Sequence, residues 1–288
     1  MRVFQKGFNY SQDGRGNRLI YHLQGCNMHC PWCSNPEGMP PQGAMMIDRD
    51  WLTDSCCPKG AVKEKQLDRR ICETCEELPC VTGMRQKGIR LSYLDHEVED
   101  LVREAVQSRP MFFDGGGVTL TGGEISLQFA AVQELLRRLG EEGIHRTIES
   151  NGSHPKMTEL LPLVDEWIMD LKHYDEEIHK EWIGVSNAQT ICSIAAACEV
   201  HPDVLIRIPL IPGFNDRPGD SEKFTELLQR FAVKDTVRVE LLTYHEFGKD
   251  KWGQCGFEYK MKPGRIQGET VKNMENMLRS AGLHVVRT

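Results

Sequence analysis

The chain has 288 residues, of which 40% are hydrophobic, and its 42 acidic and 35 basic residues give a formal charge of −7. This apolar content suits one large domain or two. No apolar run approaches the length of a membrane span, and no block of Lys and Arg is present to bind a nucleic-acid backbone, so membrane and direct nucleic-acid functions are disfavoured.

Strand-like apolar segments alternate along the chain with segments of helical periodicity. The predicted strands cover residues 18–24, 118–121, 146–149, 166–171, 204–208 and 237–242. The predicted helices cover residues 95–107, 127–142, 156–161, 175–182, 188–200 and 221–231. A repeated β-then-α order indicates a parallel sheet with crossover helices. Six such units predict an α/β fold, a partial (β/α)6 TIM-like barrel. The glycine run 115–117 precedes its strand, so it is interpreted as a turn and not as a dinucleotide-binding loop.

Eight of the eleven cysteines lie between Cys26 and Cys80, a concentration that indicates metal ligation in a reducing compartment. Residues 1–6 do not resemble the apolar leader of a small secreted disulfide protein, so a cytoplasmic protein is expected. Directly after the first predicted strand, Cys26, Cys30 and Cys33 form a C-x3-C-x2-C loop. Cubane clusters take four cysteines and structural zinc sites four ligands, so three thiolates predict a metal site with one open position.

Residues 51–92 interrupt the alternating pattern and are interpreted as an insertion between a first segment, 1–50, and the remainder, 93–288. This stretch contains five cysteines and has little periodicity. Its spacing resembles half of a bacterial ferredoxin and predicts a second 4Fe–4S cluster with four thiolate ligands. Cys56 competes for the first ligand position, and a zinc site would suit the same spacing. The expected ligands are Cys57, Cys72, Cys75 and Cys80.

Polar residues follow or lie on every predicted strand. In a parallel barrel the loops at the carboxyl ends of the strands build the active site. Each position also has an ordinary structural interpretation: Glu124 as a helix cap, Asp170 and Lys172 as a solvated pair, His245 as a satisfied loop histidine. Six such positions on one rim predict an active site there: the cysteine loop, Thr121-Gly122-Gly123-Glu124, Glu149-Ser150-Asn151-Gly152, Asp170-Leu171-Lys172, Arg207 and Tyr244-His245.

The cysteine loop, the Gly-Gly-Glu motif and their order resemble the radical S-adenosylmethionine (SAM) superfamily. The nearest likeness is to its branch of glycyl-radical-enzyme activating enzymes, which includes the pyruvate formate-lyase activating enzyme. The similarity spans nearly the whole chain. Further matching residues are Asp13-Gly14, Cys33-Ser34-Asn35-Pro36-Glu37, Asp170-Leu171-Lys172-His173, residues 206–213, and Tyr244-His245 followed by Gly248.

This resemblance implies a catalytic 4Fe–4S cluster on Cys26, Cys30 and Cys33, with SAM chelating the bare iron through its amino and carboxylate groups. One electron from the cluster would release methionine and a 5′-deoxyadenosyl radical that abstracts hydrogen. Trp32 would approach the adenine, and Lys172 and His245 would serve as catalytic as well as cofactor-binding residues. The family's ammonium site corresponds to Gly122, Gly123 and Glu124, Arg207 is a further cofactor-binding candidate, and a monovalent-cation site corresponds to Glu149, Ser150 and Asp170.

Two departures from the family pattern concern the substrate. Its usual Asp-Gly-Pro-Gly is here Asp13-Gly14-Arg15-Gly16, and its Gly-Gly-Glu-Pro ends in Ile125. The lost prolines reshape both loops, and Arg15 adds a cation that could meet an anionic ligand. The leading hypothesis is an activase that removes hydrogen from a backbone glycine of a partner glycyl radical enzyme, with a flavodoxin- or ferredoxin-type reductant. The alternatives are a radical SAM lyase acting on a small molecule, of the queuine lyase type, and an electron-transfer module without turnover.

Overall fold

The computed structural model describes residues 1–82 and 88–288. The strands in these residues are β1 (Arg2–Tyr10), β2 (Asn17–Leu23), β3 (Met45–Ile47), β4 (Val62–Lys63), β5 (Gln66–Leu67), β6 (Ile89–Leu91), β7 (Leu94–Asp95), β8 (Gly117–Gly122), β9 (Arg146–Ser150), β10 (Glu166–Asp170), β11 (Val204–Leu210), β12 (Val237–Thr243) and β13 (His284–Val286). The α-helices are α1 (Arg69–Glu73), α2 (Pro79–Thr82), α3 (Val98–Gln107), α4 (Phe129–Glu141), α5 (Glu176–Ile183), α6 (Ala188–Val200), α7 (Asp220–Gln229), α8 (Lys249–Cys255) and α9 (Gly268–Ser280).

The main sheet has the strand order β13-β12-β11-β10-β9-β8-β2-β1-β7. From β2 through β8 to β13 all neighbours are parallel, whereas β1 is antiparallel to both β2 and β7. The six predicted strands are β2 and β8 to β12, adjacent in chain order, which confirms the predicted α/β partial barrel. Because these strands run the same way, the loops that follow them gather at one edge of the sheet.

Most predicted helices are present with small shifts at their ends. The exception is 156–161, which forms a 3-10 helix, Met157–Leu163, instead of an α-helix. Pro162 lies inside it, and proline lacks the N–H that an α-helix would use. The sequence prediction also missed β1, β13, α8 and α9. Among the helices of the described ranges, none combines the length and apolar character needed to cross a membrane.

Alternation along the strands gives the sheet two different faces. Residues such as Leu19, Leu120 and Ile148 belong to one large hydrophobic cluster with the apolar residues of the surrounding helices. Most of the intervening residues are polar, and many pair with each other: Arg18 Nε donates to Thr119 Oγ1 at 2.7 Å, for example. The inner face of the barrel is therefore polar enough to hold a charged ligand.

The described part of the insertion has a hydrophobic cluster of its own. Leu52, Cys56, Val62, Cys80 and Ile89 are buried together there. Met45 and Ile47 of β3 join this cluster, because β3 pairs with β6. The packing unit thus begins before residue 51, and the division of the chain at residues 50 and 92 stays a prediction.

Candidate active site

The cysteine loop follows β2 at the carboxyl edge of the sheet. Backbone hydrogen bonds fix its start: Gly25 N donates to Gly38 O and Cys26 N to Met39 O, both at 2.8 Å. Near its middle, His29 N donates to Ile183 O at the end of α5, at 3.0 Å. These bonds hold the loop against the neighbouring 3-10 turn (Pro36–Gly38) and α5.

The two glycines of the Gly-Gly-Glu motif let the β8 loop approach the cysteine loop. A Cβ on Gly123 would lie 2.1 Å from the carbonyl oxygen of Gly25 and 2.7 Å from that of Gly38. A Cβ on Gly122 would lie 2.3 Å from Leu23 N, and Gly122 has a φ of +124° that side chains rarely adopt. Only glycine fits at these positions.

A cavity of about 270 Å³ opens between the cysteine loop and the carboxyl ends of the strands. The loops that the sequence analysis expected to meet do meet around it. Its predicted lining residues are Cys26, Cys30, Trp32, Cys33, Gly122, Gly123, Glu149, Ser150, Asp170, Lys172 and His245. Glu124 and Arg207, also predicted to bind the cofactor, are not among its lining residues.

Besides Trp32, apolar side chains that the sequence analysis did not identify form or support the cavity wall. Trp32 packs against Phe214, with ring centroids 4.8 Å apart, and against Trp182 at 6.4 Å. Met28, Met39 and Ile211 line the cavity as well. The only sequence signal for these residues is their position in or beside matched motifs, because an isolated Met or Ile usually indicates ordinary packing.

Burial favours the protonated form of the three thiols of the loop while no metal is bound. Burial raises the pKa of Cys26, Cys30 and Cys33 to about 12 in each case. Iron would replace these protons, because the thiolate is the metal ligand. Among the described residues, no three His, Cys, Asp or Glu side chains converge on a point as ligands of a single ion would. In an iron–sulfur cluster each cysteine binds a different iron, so the loop's chemistry fits a cluster.

Lys172 places a positive charge beside this loop. Its Nζ donates to Asp170 Oδ2 at 2.7 Å, and its side chain is 13% exposed. Burial alone would lower the pKa of Lys172, but Asp170 and the neighbouring Cys30 and Cys26 outweigh that effect and raise it. The lysine is therefore a permanent cation at the cavity wall, available to an anionic cluster or carboxylate.

Glu124 is buried, 1% exposed, and faces the β9 loop. Its carboxylate accepts hydrogen bonds from Ser126 N at 2.9 Å, from Ser150 Oγ at 2.9 and 3.1 Å, and from Asn151 N at 2.8 Å. The side chain thus connects the loops after β8 and β9. Asn151 in turn donates to Asn27 Oδ1 of the cysteine loop at 3.0 Å, which extends the connection to the thiols.

We expect Glu124→Gln to destabilise the protein even without cofactors. The amide would direct N–H donors at a group of donors and leave at least one buried polar group without a partner, a loss of about 1–3 kcal/mol. Thermal unfolding of the apoprotein measures this, with Glu141→Gln, in an exposed ion pair with Arg137, as the control. If apoprotein stability were unchanged and only the KM for SAM rose, Glu124 would be an ammonium ligand and not a connection between loops.

Arg207 is held within the barrel wall. Its Nη1 donates to Glu149 Oε1 at 2.6 Å and its Nε to Glu240 Oε2 at 2.9 Å. A further contact joins its Nη2 to the carbonyl of Gln12. Burial would lower the pKa of Arg207, but Glu149 and Glu240 outweigh it and raise the pKa. Arg207 consequently orients Glu149, which itself lines the cavity.

The residues proposed for a monovalent cation all have protein partners. Glu149 accepts from Thr121 Oγ1 at 2.7 Å as well as from Arg207. Ser150 donates to Glu124, and Asp170 accepts from Lys172.

Arg15 lies at the opposite, amino edge of the sheet, where its Nη2 is 2.7 Å from Asp203 Oδ2.

The predicted auxiliary cysteines lie near one another in the insertion. Burial, together with the nearby thiols of Cys57, Cys80 and Cys75, raises the pKa of Cys72 to about 11. Cys56 is buried next to them, and its Sγ accepts from Thr53 N at 3.4 Å. Cys57 is half-buried, and it raises the pKa of Cys80 more than Cys56 does. The choice of Cys57 over Cys56 as the first ligand stays a prediction.

Comparisons with known proteins agree with the family resemblance. The Radical SAM superfamily model matches residues 20–225. The chain is 35% identical over 287 residues to the (2S)-3-sulfopropanediol sulfolyase activating enzyme of Bilophila wadsworthia, covering 93% of each chain. It is 31% identical over 286 residues to the isethionate sulfite-lyase activating enzyme of Nitratidesulfovibrio vulgaris, covering 91% of this chain and 90% of that one.

A solved structure shows the same likeness. A domain of the pyruvate-formate lyase-activating enzyme from Bacteroides vulgatus superposes with a TM-score of 0.50 at 26% identity, over 60% of this chain and 98% of that one. A radical SAM methyltransferase from Sphaerobacter thermophilus, 16% identical, shares the fold with a TM-score of 0.57 over 97% of this chain and 67% of that one. The resemblance inferred from the cysteine loop and the Gly-Gly-Glu motif is confirmed. The chain belongs to the radical SAM superfamily and groups there with the activating enzymes.

Proposed function

We propose that this protein activates a glycyl radical enzyme by removing one hydrogen atom from a backbone glycine of that partner. The observation that carries the proposal is the cavity in which one buried and two half-buried thiols face the ends of the parallel strands. The chain aligns with activating enzymes along nearly their whole length, which favours this function over a small-molecule lyase. An electron-transfer module without turnover would not need the motifs around the cavity.

A 4Fe–4S cluster bound by Cys26, Cys30 and Cys33 would deliver one electron to the sulfonium of SAM and release methionine with a 5′-deoxyadenosyl radical. The chain's own residues prepare the place for this step. Gly122 and Gly123 bring the β8 loop beside the thiols, with backbone groups that suit the cofactor's ammonium. Lys172 offers a positive charge to the carboxylate end, and Trp32 and Met28 exclude water from one wall.

The hydrogen transfer itself needs no further oxidant, because the unpaired electron only moves from one molecule to the other. The 5′-deoxyadenosyl radical takes a hydrogen atom from the glycine, 5′-deoxyadenosine forms, and the unpaired electron stays on the partner's backbone. One electron per turnover must come from outside, and a flavodoxin- or ferredoxin-type protein of low potential is the proposed donor. His245, exposed on the rim and stacked on Phe247 with ring centroids 4.3 Å apart, is the proposed contact between cavity and incoming loop.

The decisive experiment combines the reconstituted protein, SAM and a strong reductant with a candidate glycyl radical enzyme. We expect 5′-deoxyadenosine, measured by liquid chromatography, together with a glycyl radical signal in electron paramagnetic resonance. If no 5′-deoxyadenosine forms under any condition, the radical SAM reaction is refuted for this chain. If it forms, and a small metabolite stimulates it while no partner acquires a glycyl signal, the activase proposal fails in favour of a lyase.

The insertion is proposed to hold a second 4Fe–4S cluster on Cys57, Cys72, Cys75 and Cys80. The proximity of these thiols supports it. A monovalent cation at Glu149, Ser150 and Asp170 is part of the same proposal, and it would require these side chains to exchange their present partners.

We expect the double variant Cys72→Ala/Cys75→Ala to lose about four irons per chain and to keep the other cluster, since each cubane contains four irons. Iron analysis and the resonance spectrum of the reduced protein measure this. The control is Cys192→Ala, which changes an exposed cysteine outside both groups. Stoichiometric zinc in the purified protein, retained after reconstitution, would contradict the cluster.

A further inference from the structure

Helix α8 packs against the second half of the cysteine loop. It begins four residues after His245 and contacts the 3-10 turn Pro36–Gly38. Gly248, its N-cap, touches the backbone of Ser34: a Cβ there would lie 2.5 Å from both Ser34 Cα and Ser34 O. This close approach brings the side chains of the helix within reach of residues 33–37.

Trp252 donates a hydrogen bond to the backbone of Cys33. Its Nε1 donates to the carbonyl oxygen of Cys33 at 2.9 Å, and its side chain is buried. The indole is itself fixed by edge-on contacts with Phe257 and Tyr259, at centroid distances of 6.3 and 5.5 Å. A tryptophan held on its other sides can orient the peptide that it binds.

Lys251 neutralises a buried carboxylate just beyond Cys33. Its Nζ donates to Asn35 Oδ1 at 2.8 Å and to Glu37 Oε1 at 2.7 Å. Glu37 is 4% exposed, and its other oxygen, Oε2, has no hydrogen-bond partner among the described residues. Removing the lysine would therefore leave a buried charge without its partner, which is far more disruptive than losing a surface ion pair.

The same helix is also attached to the insertion. Arg69 of α1 donates from Nη2 to Gln254 O at 2.9 Å and from Nη1 to the carbonyl of Met45. Helix α8 thus lies between the insertion and the catalytic loop, and it is bonded to both.

We propose that Lys251 and Trp252 are positioning residues that hold residues 33–37 in the conformation with which Cys33 binds iron. The inference deepens the proposed function, since it concerns the same cysteine loop. Neither residue lines the cavity. They act through Cys33, Asn35 and Glu37, so they would control cluster geometry without touching SAM.

The test uses the full chain with the variants Lys251→Met, Lys251→Arg and Lys251→Met/Glu37→Gln. Lys249→Met is the matched control, because this lysine is on the same helix but pairs with Glu246 in a 47% exposed position. In the apoprotein, Lys251→Met should increase the rate at which iodoacetamide modifies Cys33 by about fivefold, through local opening of the loop. Peptide mass spectrometry reads this rate against exposed Cys192 in the same molecule.

In the reconstituted protein, Lys251→Met should keep its iron, change the resonance spectrum of the reduced cluster, and raise the KM for SAM about tenfold, as indirect partners of metal sites commonly do. Lys251→Arg should stay close to the wild-type spectrum and KM because it keeps the positive charge. Lys251→Met/Glu37→Gln should recover part of the wild-type behaviour because no buried charge remains. Lys249→Met should match the wild type.

If iodoacetamide modifies Cys33 in the Lys251→Met variant at the wild-type rate, the proposal is overturned. A loss of iron and thermal stability in which the remaining holoenzyme keeps the wild-type spectrum also overturns it, since that is a purely structural defect. If the wild type fails to cleave SAM, the proposed function falls instead, while the modification rates still decide whether Lys251 holds the loop.

Discussion

Replacing Cys30 with alanine is expected to abolish SAM cleavage entirely. Cys30 is the middle thiol of the loop, is 8% exposed, and lines the cavity together with Cys26 and Cys33. Cubane clusters ordinarily take four cysteines and this loop supplies three, so the two that remain would not hold the cluster whose bare iron SAM chelates. Reconstituted protein should lose about four irons, and 5′-deoxyadenosine should fall below detection in a chromatographic assay with excess reductant.

The control for this variant is a cysteine buried elsewhere. Cys198 on α6 lies in the main hydrophobic core, away from the cavity residues, and Cys198→Ala should keep both iron and turnover with a modest loss of stability. Residual cleavage in Cys30→Ala above one hundredth of the wild-type rate would mean that another protein group replaces the thiol, and the assigned ligand set would be wrong.

The sequence specified the scaffold well because its signals are local. Alternation of apolar and polar residues identified β2 and β8 to β12, and the same alternation leaves Arg18, Glu149 and Arg207 on the polar face. β1 was missed because most of its residues are exposed and its run, with Lys6 and Gly7, lacks a buried face. β13 has only three residues, and a strand of that length has no periodicity to detect.

The site was predicted as a set of loops, but the direction of individual side chains was not. Glu124 stands in a motif associated with the cofactor, yet its carboxylate is directed at Ser150 and Asn151 because the β9 loop presents two donors there, while Ser126 N of its own loop supplies a third. Arg207 of β11 follows the same logic, since Glu240 on the adjacent strand β12 and Glu149 on β9, two strands away, bind it. Such pairings depend on strand neighbours that only the fold brings together.

Helix α8 shows a second reason for incomplete prediction. Its seven residues contain Gly253 and only two buried apolar side chains, Trp252 and Cys255, so neither length nor periodicity reveals a helix. Its importance comes from two hydrogen bonds, from Lys251 to Glu37 and from Trp252 to Cys33. The partners in each bond are more than 200 positions apart along the chain. Contacts of that sequence separation are invisible to local pattern analysis.

Gly123→Ala is expected to remove nearly all activity while changing a single methyl group. The new Cβ would lie 2.1 Å from Gly25 O and 2.6 Å from Gly25 C, and these are backbone atoms that cannot rotate aside. Gly25 must then move, although Glu124 N donates to its carbonyl at 2.7 Å and Gly25 directly precedes Cys26. A displacement near 1 Å in a catalytic loop commonly lowers the rate by about 100-fold, and overpacking adds about 1–3 kcal/mol of destabilisation.

Gly7→Ala is the matched control, because a Cβ there meets nothing within 4 Å and Gly7 is not in the left-handed region. It should leave turnover unchanged, while Gly123→Ala should show reduced iron at the catalytic loop, a lower melting temperature and almost no 5′-deoxyadenosine. If Gly123→Ala instead cleaved SAM within twofold of the wild type, the contact between the β8 loop and the cysteine loop would be looser than the structure shows. The close packing of those two loops, on which the placement of SAM beside the thiols depends, would then have to be abandoned.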